Sequence, residues 1–295
     1  MQEMFDRNRI AHPDGNGKAG RSGLVDTVSV STNQTGRKTM PYIRRTTMAG
    51  RTIILEEYFS GRIGKKGRGS PPQERTKEEV ERAHLRRQEK LLTKLMNANF
   101  RPGVDQHLTL EWGKGQDHPK DSAEMKRQVQ AFLLRIRRAY RKRGKETKYI
   151  YTMEIGPKGS RHVHMVLSDV DLAEVVNLWK AGPVHATPLY PDGNYQQLAR
   201  YFIKYSQKTE RTEDQKIGRR WNSSKNLIRP VPKIRRITER TFLRDIPQRK
   251  GYYIDQESVR TGPGLGENGR LFRECIYIRI QEDDHADKHL RRDRR

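Results

Sequence analysis

Between residues 101 and 210 the spacing of apolar residues changes period several times, and each change marks an element. In Gln106 to Trp112, Leu108, Leu110 and Trp112 alternate with His107, Thr109 and Glu111, as in a strand with one apolar and one polar face. Asp121 and Glu124 then open a helix in which Met125, Val129, Phe132, Leu133 and Ile136 recur at helical spacing before Gly144, with arginines on the other side. Two β-rich runs, Lys148 to Ile155 and Arg161 to Ser168, flank Gly156, Pro157, Lys158, Gly159 and Ser160, which signal a hairpin. Asp171 and Glu174 start a short helix ending near Gly182. Pro183 to Tyr190 is a possible strand, and a helix follows from about Gly193 to Lys208.

The order strand, helix, strand, strand, helix, strand predicts an α+β fold of the ferredoxin-like, or split β-α-β, type. An antiparallel sheet is covered on one face by two helices, and its other face is left for function. One further helix follows. Outside this core, residues 1–47 are rich in Gly, Ser, Thr, Asn and charge and are expected to be a disordered basic tail. Residues 48–100 are expected to be a basic helical extension. They include a loose stretch, 61–73, and then a helix opened by a Thr76 and Glu79 capping box, with Val80, Leu91, Leu92, Leu95 and Met96 on its apolar side. The core domain is assigned to 101–235, with Trp221 to Lys233 as an extended basic segment. Residues 236–282 form a C-terminal extension with a late strand at Glu274 to Ile280, and 283–295 a second disordered basic tail. The two extensions carry clustered Lys and Arg, and the expectation is that they bind duplex and can be removed without loss of single-strand cleavage.

Charge narrows the function. Lys and Arg number 61 against 36 Asp and Glu, a formal net charge of +25. A polyanionic partner explains this, because each neutralised phosphate releases counterions. The single cysteine, Cys275, excludes an internal disulfide and a cysteine-based zinc module. With no apolar run of membrane-spanning length and no apolar core in the first twenty residues, the expected location is the cytoplasm.

Two clusters carry chemistry. In the run His162-Val163-His164-Met165-Val166-Leu167 both histidines lie on one strand face, about 7 Å apart at ~3.3 Å per residue, and two such imidazoles can converge on one divalent ion. Two surface histidines on a polar face is the alternative. Glu154 faces the same way if the hairpin loop has an odd number of residues, giving a mixed nitrogen and oxygen site suited to Mn²⁺ or Mg²⁺; otherwise it is a solvated acid among Lys and Arg. On the last helix, Tyr201, Lys204, Tyr205 and Lys208 share an arc of about 100°, away from Leu198, Ala199, Phe202 and Ile203. Tyrosines lining the core edge are the other reading. A phenol, with a pKa of about 10, becomes a nucleophile near cations such as Lys204 and Lys208 or near a metal-polarised phosphate.

Three motifs in order resemble the HUH endonucleases, in particular rolling-circle replication initiators of small plasmids and single-stranded DNA phages. They are HLTLEW at His107 to Trp112, HVHMVLS at His162 to Ser168 and YFIKYSQK at Tyr201 to Lys208, the last in the two-tyrosine form. The resemblance implies metal-dependent nicking and rejoining of single-stranded or hairpin origin DNA, through a 5′-phosphotyrosine at Tyr205 or Tyr201. Tyr205 is the first choice, because single-tyrosine relatives keep the later one. It also points to His162, His164 and Glu154 as metal ligands. With no phosphate-binding G-x-x-x-x-G-K-[ST] motif in the chain, helicase and polymerase would come from the host. A transposase or relaxase could use the same histidines and helix, although relaxases place the tyrosine ahead of the histidines. The non-enzymatic alternative is a basic module binding RNA or single-stranded DNA on its sheet, where few aromatics are available for stacking.

Overall fold

The computed structural model describes residues 42–60, 76–113, 118–156, 159–212, 220–263 and 270–281, with backbone alone at 207–212. The expected tails up to residue 41 and from 283, and the loose stretch 61–73, lie outside the described residues. In chain order the elements are β1 (Tyr42–Ala49), β2 (Thr52–Phe59), α1 (Lys77–Asn99), β3 (Gln106–Glu111), α2 (Ser122–Lys142), β4 (Tyr149–Ile155), β5 (Arg161–Leu167), α3 (Leu172–Trp179), β6 (Val184–Pro188), α4 (Gln196–Thr212), β7 (Asn222–Ser223), β8 (Lys233–Ile237), α5 (Glu239–Phe242), β9 (Tyr252–Pro263) and β10 (Leu271–Arg279).

Strands β3 to β7 form one antiparallel sheet in the order β6-β3-β5-β4-β7. Without the two-residue β7, the strands and their intervening helices α2 and α3 give the ferredoxin-like arrangement. Helices α2 and α3 pack on one face through Met125, Val129, Phe132, Ile136, Val175 and Trp179, against Leu108, Leu110, Met153, Val163 and Met165 of the strands. The acids that mark the helix starts act as expected. Asp121 and Asp171 accept from the backbone N–H groups of Glu124 and Glu174, and Thr76 and Glu79 close a reciprocal capping box.

The other face is only partly free, which corrects the expectation of a sheet bare on that side. Leu92, Leu95, Met96 and Phe100 of α1 and its C-cap join Leu198, Ala199, Phe202 and Ile203 of α4 over Ile150 and Val166. Apolar residues at one end of that face demand this cover. The polar end, with Glu111, His162 and Glu154, stays open.

The two expected extensions are not separate. Strands β1 and β2, at 42–59, pair with β8, β9 and β10 in a second antiparallel sheet, order β8-β1-β2-β10-β9. Strand β1 starts inside the segment expected as tail, a β-hairpin occupies the first part of the segment expected to be helical, and β8 crosses the boundary drawn at residue 235. At the hairpin turn Gly50 has φ +55, and a Cβ there would meet the carbonyl of Asn97 in α1, so the turn requires glycine. Helix α1 joins the sheets: Lys94 binds Glu56 of β2 at 2.6 Å, and Asn97 reaches Thr52 at 2.9 Å and the backbone N–H of Tyr195 at 2.9 Å. The extensions therefore cannot be removed without uncovering the core they close. Among the described residues no helix is long and apolar enough to cross a membrane.

Three strands of the second sheet meet at a buried charge. Arg44, Glu57 and Arg273 lie directly opposite one another on β1, β2 and β10, and the fully buried Glu57 carboxylate takes Arg44 Nε at 2.5 Å and Arg273 Nε at 2.8 Å. Removing the acid leaves two guanidinium groups without their counter-charge. Glu57→Gln is expected to cost about 3 kcal/mol of stability, measured by urea denaturation; an unchanged midpoint would show that the arginines are satisfied without it.

Candidate active site

Antiparallel register assembles the site. Opposite His162 of β5 stand Glu111 of β3 and Glu154 of β4, and opposite His164 stand Thr109 and Thr152. Side chains directly opposite share a face, so two polar rows cross three strands at the uncovered end of the sheet. The hairpin loop, residues 156–160, is odd in length, and Glu154 does face the histidines.

Each histidine is held by a carboxylate. His164 Nε2 lies 2.9 Å from Glu154 Oε2 and its Nδ1 lies 3.4 Å from Thr109 Oγ1, which fits a neutral ring donating to Glu154 and accepting from the threonine hydroxyl. His162 Nδ1 lies 3.2 Å from Glu111 Oε1, and on the far side of Glu111 His185 Nε2 of β6 is 4.0 Å away. The row grades outward: His164 and Glu154 are buried, His162 and Glu111 half-buried, His185 exposed. Glu111 and His185 were not singled out from the sequence. Only the pairing of β3 with β5 and β6 shows that they belong to the site, although Glu111 does sit on the polar face of its own strand.

The tyrosines of α4 close over this row. The Tyr201 and Tyr205 rings both lie 5.0 Å from the His164 ring, centroid to centroid, and 4.2 Å from each other. Tyr201 also rests against the edge of the apolar cluster under α4, so it serves the core edge as well as the site. Burial pushes the Tyr201 hydroxyl well above the usual tyrosine range, reinforced by its hydrogen bond to Tyr205 and by the charges of Tyr205 and Glu154. It stays protonated and acts as a donor toward Tyr205. Lys204 is exposed, and among the described residues it makes no hydrogen bond to either phenol; the side chain of Lys208 lies outside the described residues.

His107, one row further into the sheet, was read only as part of the polar face. Its ring lies 5.8 Å from that of His164 and 5.9 Å from that of Tyr201, and its buried Nε2 has no partner among the described residues. Burial, aided by the neighbouring His164, lowers its pKa to about 4; burial also lowers that of His164, with Glu154 opposing. Both rings are neutral at pH 7 and able to donate a nitrogen lone pair to a metal ion. The donor chemistry of His162, His164 and Glu154 therefore fits a divalent ion. The histidines are drawn to carboxylates on opposite sides, and among the described residues no group of three acids or histidines converges closely enough to form a finished metal centre.

Residues 105–210 match a family model of replication-associated proteins, the ORF2 type. The matched segment starts at Asp105, just before β3, and ends within α4, so it takes in His107, Glu111, Glu154, both motif histidines and both tyrosines. It bears out the resemblance to replication proteins drawn from the three motifs. Comparison with curated proteins and with solved structures found no match for the chain. Strands β1, β2, β8, β9 and β10 lie outside the segment that matches the replication-associated family.

The depressed pKa of His107 makes stability depend on pH. The unfolded chain takes up a proton near pH 6.5 and the folded chain only near pH 4. The stabilisation is therefore complete above pH 6.5 and is lost as pH falls toward 4, by up to about 3 kcal/mol. Denaturation midpoints of the wild type and His107→Asn should converge by that order across this window. Parallel pH profiles would show that His107 is not protected from protonation.

Proposed function

We propose that the chain is a rolling-circle replication initiator whose replication-associated segment nicks and rejoins single-stranded DNA at an origin through a tyrosine link. The observation that carries this reading is the packing of Tyr201 and Tyr205 against His164, which brings two phenols onto a histidine and carboxylate row at the open end of the sheet. Tyr205 is the better first nucleophile. The hydrogen bond from Tyr201 stabilises negative charge on the Tyr205 oxygen, while Tyr201 itself is held protonated by burial and by Glu154. Attack by the Tyr205 oxygen on phosphorus forms the phosphotyrosine as the phosphorus to 3′-oxygen bond breaks, and the proton ends on the released 3′-hydroxyl. Tyr201, 4.2 Å away ring to ring, is placed to make the return cut.

His162, His164 and Glu154 would hold a divalent ion, Mg²⁺ or Mn²⁺, with Glu111 as a further carboxylate beside His162. Bound there, the ion supplies Lewis-acid polarisation of the scissile phosphate. Glu154 and His164 are the pre-paired part of the site, and Thr109 fixes the tautomer of His164 through Nδ1. Lys204 and Lys208 remain proposed as cations met by the DNA rather than by the phenols. Host helicase and polymerase would extend the freed 3′ end. A module that only binds single strands on its sheet is disfavoured, because the face on which bases would stack lies largely under α1 and α4.

Incubation with labelled single-stranded oligonucleotides tiled across the encoding element, with and without Mn²⁺, should give a protein–DNA band that survives SDS. The band is expected to require metal, to fall at least tenfold in Tyr205→Phe, to fall less in Tyr201→Phe and to vanish in the double variant. Retention of the band in the double variant, or binding without any covalent product, would refute the tyrosine mechanism.

A further inference from the structure

Away from the histidine row, a cleft of about 640 Å³ opens where the C-terminal half of α2 meets the β4 and β7 edge of the first sheet. Its cations come from separate parts of the chain: Arg137 and Arg141 sit one turn apart on α2, Lys145 follows that helix, and Lys225 follows β7. Arg137, Arg141 and Lys225 are exposed and have no ion-pair partner among the described residues, and Lys145 only approaches Asp169, at 4.0 Å. The one acid in the wall, Glu146, accepts from the Asn226 side chain at 3.2 Å. Arg141 can be explained by the negative end of α2. Lys225, on another element, cannot.

A second observation points to a ligand. Thr147 lines the same cleft and is only 8% exposed, yet its Oγ1 has no hydrogen-bond partner among the described residues. A buried hydroxyl without a partner is costly, and in a polar cleft it is explained by an acceptor that arrives from outside. Cations and a free hydroxyl donor are the complement of phosphate oxygens.

The cleft also continues. Residues 220–237 contain no Asp or Glu, and they supply the outer edge strand of both sheets, β7 of the first and β8 of the second. Beyond Lys225, the exposed Arg229, Lys233, Arg235 and Arg236 extend the positive charge along this strap, again with no ion-pair partner among the described residues. A run of unpaired cations spanning two sheets is far longer than a single phosphate ion requires. We propose that this cleft and the strap leading from it form a track for the DNA backbone outside the nicking site, with Thr147 and the cleft cations gripping its phosphates. Tyr149 in the cleft and Glu154 in the site are five residues apart on β4, about 16 Å, and face opposite sides of the sheet. DNA engaging both must cross the β7 edge, so the track holds flanking DNA rather than the reacting phosphodiester. The partner follows from charge and an unpaired donor, independently of the tyrosine reading.

The test is fluorescence anisotropy of the full chain with a labelled single strand and a labelled duplex of equal length, repeated across a salt series. In Arg137→Gln/Arg141→Gln/Lys225→Gln, affinity at low salt should fall at least tenfold. The plot of log affinity against log salt should become shallower by roughly 0.7 per lost contact for the single strand and 0.9 for duplex. Thr147→Val, which keeps the shape and removes the hydroxyl, should weaken DNA binding several-fold with no loss of melting temperature. Unchanged affinity and slope in the triple variant would overturn the proposal. So would calorimetry in which inorganic phosphate binding is lost in that variant while DNA binding is retained, since the cleft would then be a small-anion site. A Tyr201→Phe/Tyr205→Phe variant should bind with the wild-type slope whether or not those tyrosines form a covalent link, which keeps the two readings separable.

Discussion

The rest of this structure depends on the antiparallel register that sets His162 opposite both Glu111 and Glu154. Because successive side chains on a strand alternate faces, a shift of one residue in either pairing would send the whole polar row into the core of α2 and α3. Burial of Leu108, Leu110, Val163, Met165, Tyr151 and Met153 on that opposite face makes such a slip prohibitively unfavourable. The same apolar packing that stabilises the sheet thus fixes the order of acids and histidines on its free end.

Helices α1 and α4 turn this polar face into a site with depth. They cover Ile150 and Val166 and stop short of His162, so the row passes from the buried His164 to the exposed His185 over three strands. Low solvation at the inner end keeps His107 and His164 neutral and the Tyr201 hydroxyl protonated, whereas the outer end remains accessible to a polyanionic substrate. Helix α1 is itself held by the second sheet through Lys90 and Lys94 on Glu56. The segments outside the matched family region consequently bear on the site through the helix they anchor.

Much of the ferredoxin-like unit was legible because each of its strands has one apolar and one polar face and each of its helices has a single apolar stripe. The capping acids located the helix starts, and the odd loop placed Glu154 beside the histidines. The first hairpin escaped notice because Thr52, Ile53, Ile54 and Leu55 are buried on both faces, which erases the two-residue period. β9 escaped for a different reason: it is mostly polar, with Asp255, Gln256 and Glu257 in its centre. Its membership of the sheet is decided by pairing with β10 and not by its own composition.

Local sequence determined the individual faces: which side of β5 carries histidines, which side of α4 carries tyrosines, and that the chain is cationic enough to need a polyanion. Periodicity and charge are properties of single segments, so they survive without knowledge of partners. Only the tertiary structure decided that Glu111 and His185 join the row, that Tyr201 and Tyr205 rest on His164, and that residues 42–59 and 233–279 close one sheet around α1. Those outcomes depend on contacts between residues tens to hundreds of positions apart, and long-range register is set by the collective burial of the core rather than by any one segment.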